Sequence, residues 1–218
     1  MSQSVERELP CPRCGHKQRF TIWESINARK NPELKEQVLT GQVFDFHCQH
    51  CGQTSRVGYP LLYHDPDKRA MFFMAHSEHR EAAYQALETL LRVSPAATGE
   101  YTLRAVTQPP ELAEKILLLD RDLDDRVVEL NKLFIHANYM TEHPQANIEH
   151  MLLLFLDQPR YITMVEGEPM PLTTPFTQAT YEDIRQKYAA FFPTGLKDNL
   201  FVDLGWAAKL MTPAQTLQ

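Results

Sequence analysis

All four cysteines of this 218-residue chain fall into two matching units, "CPRCG" at 11–15 and "CQHCG" at 48–52. No other feature restricts the fold as much. Each unit places two residues between its cysteines and a glycine after them. A tight turn of that length aims both sulfurs at one point, and N–H groups of the turn can face the thiolates. The glycine permits the left-handed backbone by which the chain leaves the turn. Two such pairs supply four thiolates, a complete tetrahedral shell for Zn²⁺. Cys11, Cys14, Cys48 and Cys51 are therefore the expected ligands of a structural zinc ion. A shell of four protein ligands leaves no open position for catalysis at the metal.

"CPRC" read alone also matches the Cys-Pro-x-Cys of a redox pair. That chemistry needs a strand before the motif and a helix N-terminus at the cysteine, which lowers its pKa. Only ten residues precede Cys11, Gly15 interrupts any helix, and the second pair has no place in a redox reading. Disulfides are unusual in a cytosolic chain. His16, His47 and His50 adjoin the knuckles, and one of them could replace a cysteine; with four thiolates present they read as neighbours of the site.

The gap between the pairs, Gly15 to His47, is 33 residues, longer than the usual ribbon gap of about 15–20. An insert accounts for it. "RFTIWESIN" (19–27) reads as a strand leaving the first knuckle. "NPELKEQVLTG" (31–41) reads as a short helix, with Asn31 as N-cap, Pro32 first, Glu33 in the first turn and Gly41 as stop. Leu34 and Val38 share one face of it. "QVFDFHC" (42–48) alternates Phe44 and Phe46 and reads as a strand. "SRVGYPLLYHD" and "RAMFFM" form a hairpin around "DPDK".

Together, "CPRCG", the capped "NPELKE-VL-G" helix, "CQHCG" and "PLLYHD" resemble the bacterial CpXC family. Further on, "YTLRAVTQPPELAEKI", "LDDRVVEL" and "DLGWA" are similar to its longer members. The resemblance implies zinc binding through Cys11, Cys14, Cys48 and Cys51 and no established activity. The second pair departs from the family pattern in lacking the proline, which keeps the ligand set and loosens the turn.

The expected fold class is α+β: an N-terminal zinc ribbon, residues 1–80, built from β-hairpins, two knuckles and the inserted helix. A connecting helix and linker follow (81–98), then a mixed α+β domain (99–218). The amphipathic stretch 76–93 carries Ala83, Leu87, Leu90 and Leu91 on one side, and "SPAATGE" (94–100) is a linker. "YTLRAV" is a strand. "PPELAEKILLL" begins a helix in which Glu111 sits four residues before Lys115. "DLDDRVVELNKLFIHANYM" is a second helix, capped by Asp122 or Asp124, with a stripe of Leu123, Val127, Leu130, Phe134 and Ala137. "MLLLFL-DQPR-YITMVEG" is a hairpin, "TYEDIRQKYAAFF" a helix stopped by Pro193, "FVDLGW" a last strand and "WAAKLM" a last helical turn.

The polar start "MSQSVERELP" has no apolar targeting stretch, and the densest apolar run, "MLLLFL" at 151–156, is too short to span a bilayer. A soluble, cytoplasmic protein without membrane partners is expected. The net charge is −6, with 11 basic against 9 acidic residues in 1–80 and 11 against 19 in 81–218. That balance opposes a broad nucleic-acid surface. Arg13, Lys17, Arg19, Arg29, Lys30 and Arg56 surround the knuckles with Phe20 and Trp23 between them, a pattern that can track a nucleic-acid strand. Those aromatics also suit a small core. His64–Asp65 could pair a base with a carboxylate, but neighbours on a strand face opposite ways. Asp124–Arg126 in "RDLDDR" could hold a substrate or cation; a helix N-terminus with an Asp122–Arg126 pair explains it as well. His76 and His79 lie three apart without a third ligand. No catalytic residue is assigned. The function expected is a protein-interaction or adaptor module stabilised by Zn(Cys)₄; the alternatives are a nucleic-acid-binding ribbon and an enzyme whose site lies in the C-terminal domain.

Overall fold

The computed structural model describes residues 2–75, 101–195 and 197–212, together with Glu81, Gln85, Glu88 and Thr89. Those four are helical; the rest of the expected 76–93 helix, with His76 and His79, and the 94–100 linker lie outside the described residues. The chain is of the α+β class and forms two compact units, residues 1–116 and 117–218.

In the first unit, β1 (Gln3–Pro10) and β2 (Lys17–Asn27) form an antiparallel hairpin with Pro10 opposite Lys17. β2 pairs in parallel with β5 (Leu61–Asp65), β5 is antiparallel to β6 (Ala70–Met74), and β6 runs parallel to β7 (Thr102–Val106). The sheet order is β1-β2-β5-β6-β7. The β5–β6 hairpin shows why these residues extend. Leu61, Tyr63 and Asp65 alternate inward, as do Ala70, Phe72 and Met74 opposite them. Tyr63 and Phe72 stack across the strands with ring centres 6.0 Å apart, a stabilising cross-strand pair.

The inserted helix α1 (Pro32–Thr40) is where the sequence puts it, ended by Gly41 at φ +81. Leu34 and Val38 are buried, as their shared face requires. Asn31 precedes the helix but its side chain does not cap it: it accepts from Ser2 Oγ at 2.8 Å and donates to Glu33 at 2.8 Å. The expected strand 42–48 is shorter. Residues 42–44 form a 3₁₀ turn, closed by the Phe44 N–H on the Gly41 carbonyl, and only β3 (Asp45–His47) extends, paired with β4 (Thr54–Arg56).

Two differences from the sequence reading concern the unit's borders. Gln3–Pro10 is a strand, although its residues lack the apolar alternation that marks one; most face solvent on both sides of an edge. Thr102–Val106 joins the first unit's sheet, so the compact unit extends to 116 rather than ending near residue 80. A parallel β6–β7 pair requires a long crossover, so the stretch between them joins neighbouring strands of one sheet. The division falls inside α2 (Pro109–Asp120). At the start of α2, Glu111 reaches back to accept from the N–H groups of Thr107 and Gln108 at 2.8 and 3.2 Å, half of a capping box. Glu111 spends its carboxylate there, and Lys115 is buried.

The second unit packs α3 (Asp125–Glu142), α4 (Gln178–Tyr188) and α5 (Leu204–Met211) with an antiparallel sheet of order β10-β9-β8. The strands are β8 (Ile148–Phe155), β9 (Pro159–Val165) and β10 (Leu172–Pro175). Its core joins Val127, Val128 and Leu130 to Leu153, Tyr161, Ile184 and Trp206. Of the expected α3 stripe, Val127 and Leu130 are fully buried, Leu123 and Phe134 partly, and Ala137 is exposed. The expected strand "FVDLGW" does not form. Asp203 accepts from the Trp206 N–H at 2.8 Å and caps α5, which starts at Leu204.

Candidate metal centre

The first knuckle is the turn between β1 and β2; the second is the turn between β3 and β4. Their backbones match. The Cys11 N–H donates to the His16 carbonyl at 2.9 Å, and the Cys48 N–H to the Gln53 carbonyl at 2.8 Å. The Gly15 N–H donates to the Cys11 carbonyl and the Gly52 N–H to the Cys48 carbonyl, both at 2.9 Å. Gly15 and Gly52 sit at φ +73 and +69, and a side chain at either would meet nothing within 4 Å. Their glycines are thus required by backbone conformation, not by space.

Gln18 holds the two turns together. Its Nε2 donates to the His47 carbonyl at 2.8 Å, and its Oε1 accepts the Gln49 N–H at 2.8 Å. Gln49 stands where the first knuckle has Pro12. Proline has no N–H to give, so the missing second proline supplies a donor to this bridge rather than loosening the turn.

The outcome is that four sulfurs meet. All four lie within 4.8 Å of one another. Cys11 and Cys51 are 3.7 Å apart, as are Cys14 and Cys48, each contact running from one knuckle to the other. A tetrahedral ion with sulfurs at about 2.3 Å would set them about 3.8 Å apart. All four cysteines are free rather than disulfide-bonded. Cys11 and Cys48 are buried, Cys51 partly so, and Cys14 faces solvent.

The electrostatics fit the same chemistry. Burial opposes ionisation of Cys11, but the backbone N–H groups of Cys14 and Arg13 and the adjoining thiols outweigh it, and the Cys11 thiol is pulled down to about 6. At Cys14 a backbone N–H from His16 favours the thiolate, yet burial and the other three sulfurs together push the thiol up to about 12. Ionisation is thus favoured at Cys11 and opposed at Cys14. A cation among the sulfurs removes that repulsion.

Around the sulfurs, Cys11, Phe46 and Cys48 are buried, with Leu9, Phe20, Cys51 and Val57 packed on them. Phe20 meets Phe46 at 5.8 Å and Tyr59 at 6.2 Å between ring centres. The Tyr59 hydroxyl donates to the Val43 carbonyl at 2.7 Å, and burial raises its pKa to about 12. His16 and His50, one from each knuckle, stack at 5.2 Å, while His47 Nδ1 meets the Thr54 hydroxyl at 2.8 Å. The potential metal cluster among the described residues consists of the four cysteines.

A family model described as CpXC protein matches residues 9–132, which include both knuckles. The chain belongs to the CpXC family. No curated protein and no solved structure matches it. The CpXC match spans the ribbon, β7, α2 and the first part of α3. A strand does fit within the ten residues before Cys11, but the chain after Cys14 turns into β2 and not into a helix. The redox geometry is therefore incomplete for that second reason.

The other candidates have structural partners. Asp65 is buried and accepts from the N–H groups of Asp67 and Lys68 at 3.1 Å. His64 faces Tyr101 instead, at 3.4 Å. Asp124 caps α3 by accepting the Arg126 N–H at 2.9 Å and also holds the Arg126 guanidinium at 2.7 Å. Asp122 is not the partner expected for Arg126; it takes a left-handed conformation, φ +54, at the end of α2. Gln18 was invisible as a site residue because only the paired hairpins bring it to the second knuckle.

Proposed function

We propose that Cys11, Cys14, Cys48 and Cys51 bind one structural Zn²⁺ and that the ribbon it folds is a protein-interaction or adaptor module. The observation that carries this reading is the meeting of four sulfurs from two hairpin tips within 4.8 Å, two pairs of them 3.7 Å apart across the knuckles. When bound, zinc would join the hairpins and balance the thiolates. The chain's own residues prepare the place: the glycines turn the backbone, Gln18 fixes the knuckles, and Phe20 and Phe46 cover the inner side. A reducing, cytoplasmic setting keeps such thiols available. Among the described residues no helix is long and apolar enough to cross a membrane.

The surface favours a protein partner over a nucleic acid. Of the six basic residues around the knuckles, Arg29 is paired with Asp67 at 2.6 Å and Arg56 with Asp45 at 3.4 Å. Phe20 is turned into the small core and is not free to stack on a base. The reading is tested by metal analysis followed by affinity capture with intact and Cys48→Ser protein. One zinc per chain, and a protein partner held only by the zinc-loaded form, is the expected result. Zinc-free protein, or a salt-sensitive gel shift with single-stranded nucleic acid in place of protein capture, would contradict it.

A further inference from the structure

The second unit contains a cleft that the ribbon reading leaves unused. It measures about 360 Å³ and lies between the C-terminal half of α3 and one face of the three-stranded sheet. Phe134, Asn138 and Glu142 line it from the helix, with Met151, Thr163 and Leu172 opposite. The sheet register explains the wall. Met151 of β8 and Leu172 of β10 both pair with Thr163 of β9, so the three side chains form one row across the strands. Nearer the start of α3, Asn131 closes the helix onto the sheet by donating to the Tyr161 hydroxyl at 2.8 Å. Toward the end of α3 the two layers part.

Thr163 is the informative residue. It is only 4% exposed, it lines the cleft, and its hydroxyl has no hydrogen-bond partner among the described residues. The Thr163 hydroxyl opens onto the cleft and can give or accept a hydrogen bond with whatever enters it. Around it the wall is apolar, and the volume falls within the range of small-ligand sites, above about 300 Å³.

Charge selects among ligands. No lysine, arginine or histidine lines this cleft. Its one ionisable carboxylate, Glu142, has no ion-pair partner among the described residues. The adjoining cleft, about 260 Å³, shares Tyr139 and adds Glu166 and Glu168, with His143 ring to ring against Tyr139 at 4.5 Å. A phosphate or carboxylate would meet only negative charge at the mouth. A cation there would meet Glu142 and the faces of aromatic rings, which attract it.

We propose that this cleft binds a small amphipathic amine, with its apolar body against Phe134, Met151 and Leu172, a polar group on Thr163, and its ammonium toward Glu142. The site is separate from the cysteine cluster and does not depend on the bound metal.

The test uses the full chain and three probes of one shape: 2-phenylethylamine, 2-phenylethanol and 3-phenylpropionate. Binding is followed by titration calorimetry and by methyl NMR shifts at Met151 and Leu172. The amine is expected to bind with millimolar or better affinity, the alcohol more weakly and the carboxylate not at all. Glu142→Gln should weaken the amine about fivefold, as for an exposed ion pair, and leave the alcohol unchanged. Thr163→Val, which keeps the shape, should weaken amine and alcohol alike. Failure of all three probes to shift the two methyl groups would overturn the proposal. So would carboxylate binding as tight as the amine's, or amine affinity untouched by Glu142→Gln.

Discussion

The two units solve the same problem with different means. The second unit has a core of a dozen buried side chains in which Trp206 meets Phe192 edge-on at 5.7 Å and Asn131 ties α3 to Tyr161. Around the knuckles of the first unit only Cys11, Phe46 and Cys48 are buried in the local cluster. β3 and β4 are three residues each and form a sheet of their own. A hairpin that small is marginal in water. Packing joins the elements of one region, and four sulfurs meet at the tips of the other. On the reading proposed above, the cysteine pairs stand in for a core around the knuckles rather than serving as reactive groups.

The largest expected effect comes from removing one sulfur. Structural zinc contributes about 10–16 kcal/mol of apparent binding energy in zinc-finger peptides. Cys48→Ser should therefore abolish metal retention and expose the amides of β3 and β4 to rapid hydrogen exchange. The second unit should be unaffected. The molecule has two tryptophans, Trp23 in β2 and Trp206 in α5, so each unit carries its own fluorophore. Chelation or Cys48→Ser should alter Trp23 emission and leave that of Trp206 at its wild-type wavelength. A shift at Trp206 would break the comparison.

The converse substitution comes next. Trp206→Ala removes a buried ring from the second unit and should cost about 3–5 kcal/mol there. Metal content should stay at one ion per chain. Loss of the metal from this variant, read by elemental analysis, would show the two regions to be one cooperative structure.

A smaller effect is expected at Gln18. Gln18→Ala deletes two hydrogen bonds between the knuckles. Each is worth about 1 kcal/mol, so release of the ion to a competing chelator should quicken by up to about thirtyfold without loss of stoichiometry. An unchanged rate would mean that the sulfurs alone set the knuckle spacing.

The smallest effect is a pH dependence at His64. Burial holds its imidazole below the ordinary 6.5, and Arg29 acts in the same direction while Asp65 opposes. A base with a lowered folded pKa contributes stability above its unfolded value and loses it as pH falls through the folded one. Wild type should therefore lose stability as pH falls below about 6.5 more steeply than His64→Gln, as read from urea midpoints. Parallel curves would remove His64 from the account.

Much of the first unit was legible because its signals are local. The C-x-x-C-G spacing, the Pro32-to-Gly41 helix and the alternation in "LLYHD" and "AMFFM" each act within a few residues. β1 was not legible: "QSVERELP" is an edge strand exposed on both sides, so burial leaves no period of two in it. Phe44 imitated a strand residue, since it lies buried in a turn launched by left-handed Gly41, while Phe46 alone belongs to β3. "FVDLGW" reads as a strand, yet Asp203 within it is a helix cap. The Gln18 bridge and the row Met151–Thr163–Leu172 depend on strand register, and register joins residues that the sequence keeps far apart. The cysteine set needed no such knowledge, because spacing alone aims each pair.

The central claim is that four sulfurs hold one ion. X-ray absorption at the zinc edge, on full-length chain purified under reducing conditions and quantified for metal, tests it most directly. The account predicts one zinc per chain with a shell of four sulfurs at about 2.3 Å and no nitrogen or oxygen. A chain without zinc, or a shell in which nitrogen or oxygen replaces a sulfur, would contradict it.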